Sequence, residues 1–521
     1  MIHGSVQPRD LVLFPFVALL AAFAAFGWLE WRALSENSWV FEYPLDDVYI
    51  HLAMSEQIAN GGYGVNAGEY ASAASSPLYP LLLLPFAGEE TQRWLPLAWN
   101  ILGLIAAAIL WGRTLAEGGF ATALLRPIGL VATAGGPVFL NMFGLTYIGM
   151  EHTLHLAATL AIVLGLVRLL QQGQLGWLLF VGILFSPMLR LEGLALALLA
   201  GLIIWWKCGA KAGGLALILG LVPAIAFSAY LTSLGLSPLP SSVEAKLVSA
   251  ADADLGLIQR AIGTFQINIH KRGGLFLLAE VIAILALFVM TNSADRNRRV
   301  LAGALVLAGF GHLFLGQIGW LDRYEGYLIG GLAAGLLVLA APLGRLVSLT
   351  AMALLGGFGT WAYTTAWTEY YPVNPRAIYL QPAQSARFAK DFAKVPVAVN
   401  DLGLVSWRNP DYVLDLWGLA SDEARDMRIH HPVPGWAAPL ALRHDVQVAM
   451  IYDDWLEEAV GADWVLLGNL RMIDPKGYLG DDNVAYYATD PAFVSDLLAK
   501  LDAWAATLPK DAYFDFAPGL R

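Results

Sequence analysis

Long apolar runs recur along most of this chain and constrain its fold more than any other feature. About 20 such residues in a helix cross a hydrocarbon core roughly 30 Å thick. Eleven runs are read as spans, at 11–33, 93–112, 124–145, 150–170, 175–187, 191–206, 213–235, 274–291, 300–318, 325–342 and 347–366. The fifth is short, and "LFSPMLRLEG" separates it from the sixth, so these two are expected to form a helical hairpin with a polar tip. With 57% hydrophobic and 14% charged residues, the chain is too apolar for a soluble domain. The fold class expected is a polytopic α-helical membrane protein.

Lys and Arg in short loops set the orientation of such a protein. With the N-terminus inside, Arg113, Arg126, Arg168, Lys207, Lys211, the "RNRR" of 296–299 and Arg345 all fall on the cytoplasmic side. Three regions then lie outside: the loop 34–92, the loop 236–273, and everything after the last span. The run "PLYPLLLLPF" at 77–86 is too short to cross and is expected to be an interfacial or half-inserted helix. Arg9 and "ALLAAFAAF" imitate a leader, but the length of the first run favours an uncleaved anchor.

Composition changes after residue 366, which divides the chain into a transmembrane domain, 1–366, and a soluble α/β domain, 367–521. The latter holds 22 Asp and Glu against 13 Lys and Arg, a net of −9 out of −11 for the whole chain. That balance argues against a nucleic-acid partner. Short β-like runs ("VPVAVND", "YVLDLWGL", "VQVAMIYDD", "ADWVLLGNL") alternate with helical ones ("AQSARFAKDFAK", "PAFVSDLLAKLDAWAATL"). The single cysteine, Cys208, forms no intramolecular disulfide and is expected to be a small apolar filler. No P-loop or dinucleotide-binding fingerprint is present.

The stretch "YPLDDVYIHLAMSEQ", 43–57, places Asp46 and Asp47 at the start of a helix in the first outer loop. Helical spacing sets Asp47, Ile50, His51 and Met54 on one face of an amphipathic helix. One aspartate there is explained by capping of that helix. Two in succession exceed what capping needs, and a carboxylate pair can act as general base, metal ligand or ion site. His152 and His155, beside Glu151, have a spacing compatible with a metal, though hydrogen-bonded interior histidines account for them more simply.

The loop continues "QIANGGYGVNAGEYASAASSPLYPLLL", and with the aspartates it resembles the first outer loop of the GT-C glycosyltransferase superfamily, integral-membrane enzymes using lipid-phosphate sugars. It is most similar to the mycobacterial-type arabinofuranosyltransferases, whose loop runs D-D-A-Y-I, G-x-G-x-x-x-N-P-G-E and T-S-P-L-W. Five further stretches resemble that family in order: "GMEHTLHLA" its G-L-E-T, "LRLEGLALAL" its T-R-P-E-G-L, "SPLPSSVEAK" its P-L-P-N-T-x-Y-A-K, "LDRYEGYLIGGLAA" its R-Y-x-x-P helix start, and "NDLGLVSW…YVLDLWGLASDE" its D-x-G-x-x-x-Y…V-x-D-x-x-G-L. Ser241-Ser242 replaces Asn-Thr, Leu191 replaces Pro, and Ala67 replaces the Pro before Gly68.

The resemblance implies an inverting glycosyltransferase that moves a sugar, arabinofuranose being one candidate, from a polyprenyl-phosphate donor. The acceptor would be an envelope glycan, glycolipid or protein. It implies Asp46 as base with Asp47 as partner, the order left open, and a divalent cation, if one is used, on this pair. It places the donor phosphate on Lys246, Arg190, Arg323 and Tyr324, with Glu151, Glu192 and His51 supporting. The location implied is the bacterial inner membrane, with the site and the C-terminal domain extracytoplasmic. Two other classes compete: a transporter with Asp46 and Asp47 as its ion site, and a non-catalytic glycan-binding or assembly protein of the same fold.

Overall fold

A computed structural model describes residues 7–244 and 256–520. The chain is mostly helical, and ten helices among the described residues are long and apolar enough to cross a membrane. Trp177–Leu189, the fifth expected span, is an apolar helix of 13 residues and falls below that length. The run 77–86 contains only a four-residue helix, Tyr79–Leu82. Cys208 is exposed at the end of Leu194–Cys208, so the filler expected there is corrected: the thiol sits at a helix terminus, where no core surrounds it.

The chain separates into two compact units. The first comprises residues 1–30, 97–227 and 250–368, and holds most of the apolar helices. The second comprises residues 31–96, 228–249 and 369–521, so the first outer loop and the "SPLPSS" loop cluster with the C-terminal region instead of with the helices they connect.

In the second unit a six-stranded sheet has the order β2-β1-β3-β5-β4-β6. Its strands are β1 (Val397–Val399), β2 (Val413–Asp415), β3 (Val448–Ile451), β4 (Val465–Met472), β5 (Asn483–Ala488) and β6 (Ala512–Phe516). β1 pairs in parallel with β2 and β3, whereas β3–β5, β5–β4 and β4–β6 are antiparallel. β1, β2 and β3 are buried throughout, as expected of short Val-rich strands covered on both faces. One core layer gathers Leu414, Leu416, Trp436, Leu440 and Ile451. The helix Asp422–His430 starts where the Ser421 hydroxyl accepts the Ala424 N–H at 3.2 Å. Acids in its first turn and Arg428 and His430 in its last complement the helix dipole.

The outer loop is stitched into this unit by polar side chains. Asn66 pairs with the edge strand β2 as a strand residue would: its amide donates to the Val413 carbonyl at 3.0 Å, and its carbonyl accepts the Val413 N–H at 2.9 Å. The Asn374 amide donates to the Pro44 carbonyl at 3.2 Å, just ahead of the acidic pair. Tyr49 donates to Glu42, and Arg93 closes over the same carboxylate at 3.4 Å.

Candidate functional site

The helix bearing the acidic pair runs Asp47–Ala59, with Asp46 as its cap residue. Residues Val48 through Ser55 are all buried, so the amphipathic face expected from helical spacing is corrected. Aromatic groups of the second unit enclose the helix: Trp407 lies against Tyr49 at 5.4 Å and Tyr79 against His51 at 5.2 Å between ring centroids. His51 is buried with its ring against that of Tyr79.

Asp46 makes no side-chain bond to its own helix. Its two carboxylate oxygens instead accept the N–H groups of Gly403 at 2.6 Å and Leu404 at 2.8 Å, at the start of the single turn Gly403–Ser406. The Lys390 ammonium donates to the carbonyls of Leu404 and Trp407 at the other end of that turn, each at 3.1 Å. A one-turn helix is thus held by a carboxylate at its N-terminus and an ammonium at its C-terminus, the arrangement its dipole favours. Only glycine allows this approach, because a Cβ on residue 403 would collide with the Asp46 carbonyl and carboxylate.

A third acid joins the pair. Burial, and next the charge of Asp401, push the Asp46 carboxyl up to about 8, against the pull of the Leu404 and Gly403 N–H groups. Burial also pushes Asp401 up, to about 6, with the charge of Asp47 acting in the same direction and Tyr452 and Asn400 opposing it. Beside Asp401 a cavity of about 20 Å³ is bounded in part by Ser385, Asn400 and Tyr452, room for about one water. Nearby, Asp415 receives the N–H groups of Trp417, Leu419 and Ala420 at 2.9, 2.5 and 2.7 Å, which fixes the turn after β2. The residues of the "NDLG" and "VLDLWGLA" stretches thus divide: Asp401 stands with the acidic pair, and Asp415 shapes backbone.

The first unit assembles a second polar group. Arg190, 1% exposed, sits in extended backbone between the helices Trp177–Leu189 and Leu194–Cys208. It pairs with Glu151 and Glu192, each at 2.8 Å. Its guanidinium lies 5.2 Å from the centre of the Tyr324 ring, and that of Arg323 lies 5.1 Å from the same ring. Arg323 also donates to the Tyr324 hydroxyl at 3.3 Å and meets the Met150 sulfur at 2.9 Å. Five residues from three separated stretches, Glu151, Arg190, Glu192, Arg323 and Tyr324, are therefore brought together. Lys246 lies outside the described residues.

His155 is buried and stacks on Tyr327 at 3.9 Å, with neither ring nitrogen finding a hydrogen-bond partner among the described residues. The interior position matches expectation; stacking replaces the hydrogen bond. Among the described residues, no group of three or more His, Cys, Asp or Glu is placed to hold a metal ion. Trp320 is exposed, and Trp417 packs beneath Arg428 at 4.0 Å and beside Trp455 at 5.0 Å.

The family described as Domain of unknown function (DUF8728) matches residues 373–510, within the second unit. No curated protein matches the chain.

Proposed function

We propose that this chain is a multi-pass membrane glycosyltransferase of the GT-C type. In this reading it moves a sugar from a polyprenyl-phosphate donor to an envelope glycan, glycolipid or protein outside the cytoplasm. The ten apolar helices are consistent with a multi-pass membrane protein. The observation that carries the reading is the cluster of Asp46, Asp47 and Asp401, carboxylates close enough that, beyond burial, the charges of Asp401 and Asp47 push Asp46 up and that of Asp47 pushes Asp401 up.

Such crowding holds a proton on one acid and leaves another to accept one. Asp46 is the better proton holder, since burial and the charge of Asp401 outweigh the two N–H bonds that favour its ionised form. Asp47, half-buried on the first turn of its helix, is assigned as the base, and Asp46 as the residue that positions it. In the reaction, the acceptor hydroxyl oxygen bonds to the anomeric carbon as the bond from that carbon to the donor phosphate breaks. The hydroxyl proton passes to Asp47, and the lipid phosphate leaves with the bonding electron pair. A single displacement of this kind inverts the anomeric centre. Donor-phosphate binding is assigned, from the family resemblance, to Arg190 and Arg323, whose guanidinium groups carry fixed positive charge. Glu151 and Glu192 keep Arg190 charged and oriented before donor binding.

The test uses purified protein in nanodiscs with radiolabelled polyprenyl-phosphate arabinofuranose and, separately, polyprenyl-phosphate hexoses. Wild type consumes one of these donors, and Asp47→Asn transfers label some 10² to 10⁴ times more slowly while still binding donor. Undiminished transfer by both Asp46→Asn and Asp47→Asn would remove the pair from the chemistry. Cation flux through proteoliposomes without any transfer would favour the transporter reading.

A further inference from the structure

The second unit contains another cleft, of about 320 Å³, between the loop at 239–244 and the helix Asp422–His430. That volume lies within the range of small-ligand sites. Its walls carry the carboxylates of Glu244, Asp422 and Asp426, the side chains of Arg425 and His430, and the aliphatic faces of Leu239 and Ile429.

The cleft is built, because its polar walls are braced from behind. Arg425 is committed to Glu244 at 2.8 Å and Asp422 at 2.9 Å, and it donates to the Gly418 carbonyl at 3.1 Å. The Ser241 hydroxyl donates to Asp422 at 3.1 Å, and Ser72 meets both the hydroxyl and the N–H of Ser241 at 3.0 Å. These bonds hold the loop against the helix and leave Asp426, exposed at the rim, with acceptor capacity to spare: its contact with His431 is 3.9 Å long. On the same loop the Ser242 hydroxyl is buried and has no hydrogen-bond partner among the described residues.

Among the described lining residues, three acids stand against His430 and an Arg425 that is already paired, a balance that favours a neutral ligand over an anion. Rigid carboxylates are strong acceptors for pairs of vicinal hydroxyls, and Leu239 and Ile429 offer apolar contact to the C–H faces of a sugar ring. We propose that this cleft is a subsite for a neutral, hydroxyl-rich saccharide, the acceptor chain in the transfer described above. The assignment rests on that reading for the word acceptor, and on the cleft alone for saccharide binding.

Saturation-transfer NMR on the full chain in nanodiscs tests it, with neutral tetrasaccharides of arabinofuranose and of mannopyranose as probes. A tetrasaccharide of galacturonic acid and tetralysine serve as charged controls. A neutral probe is expected to bind at millimolar concentration and galacturonate to fail. Ile429→Trp, which fills the cleft, and Asp426→Lys, which reverses a rim charge, each weaken the neutral probe about tenfold or more, with unchanged melting temperature. The proposal is overturned if no neutral probe binds, if both cleft variants bind as wild type does, or if tetralysine alone binds. Loss of transfer in Asp47→Asn with saccharide binding untouched by the cleft variants sinks the subsite and spares the transferase. Cleft-dependent saccharide binding with transfer unaffected by Asp47→Asn does the reverse.

Discussion

The two polar clusters handle charge in opposite ways. In the first unit, the Arg190 charge is answered by Glu151 and Glu192, and Arg323 lies over the Tyr324 ring beside them. In the second, Asp46, Asp47 and Asp401 crowd together, and the answer comes from backbone N–H groups and from a retained proton. A balanced cluster is rigid and inert until a ligand enters. A crowded one stores a tendency to bind a proton, which is what a base requires.

The contrast breaks most visibly at Asp47. Asp47→Asn removes the assigned base and is expected to lower transfer by some 10² to 10⁴, measured as label transferred per unit time, with stability nearly unchanged. Arg190→Ala strands the buried Glu151 carboxylate and leaves the half-buried Glu192 unanswered, and is expected to cost about 3–5 kcal/mol, read as a loss of melting temperature in detergent. Arg190→Lys should recover part of that loss, since a point charge replaces a fork that pairs with two acids.

Gly403→Ala sharpens the second half of the contrast. The added methyl displaces Asp46 from the turn and is expected to cost about 1–3 kcal/mol, visible in chemical denaturation. A pH series then separates the proton from the fold. Asp46 titrates near 3.8 when unfolded and is pushed up to about 8 when folded. Its stabilising contribution is therefore full below about pH 4, declines as the unfolded chain loses its proton, and is gone once pH rises past about 8. Asp401, pushed up to about 6, adds to the same fall at lower pH. Asp46→Asn should flatten the melting-temperature slope between about pH 6 and about pH 8. The smallest effect is expected at Asn66, where replacement by Ala removes two bonds to the edge of β2 and costs about 1–2 kcal/mol.

Much of the fold was legible because helical spans and Val-rich strands announce themselves by apolar length and branching. β1, β2 and β3 fall within runs readable from sequence and β4 extends two residues past its run, whereas β5 and β6 are aromatic segments beside acids and lack the Val-rich pattern. Arg190, Glu192, Arg323 and Tyr324 were legible as polar residues that interrupt or begin apolar helices, where an unpaired charge is costly. Asp401 was visible only inside a longer motif. Its proximity to Asp46 depends on pairing between residues more than 350 apart, which no local pattern encodes. Capping misled in one respect: Asp46 does satisfy helical N–H groups, but those of a turn far along the chain. The enclosure of Val48 to Ser55 likewise comes from aromatic residues supplied elsewhere, so helical spacing alone suggested an exposed face.

The proposed transfer requires the acidic cluster to face away from the cytoplasm, because a lipid-linked donor is needed only there. Single cysteines at Gly61, in the loop after the acidic helix, and at Leu346, near Arg345, can be compared in a Cys208→Ser background using a membrane-impermeant maleimide on intact cells. The account predicts that position 61 labels at once and position 346 only after permeabilisation. Labelling of position 346 with protection of position 61 would contradict it.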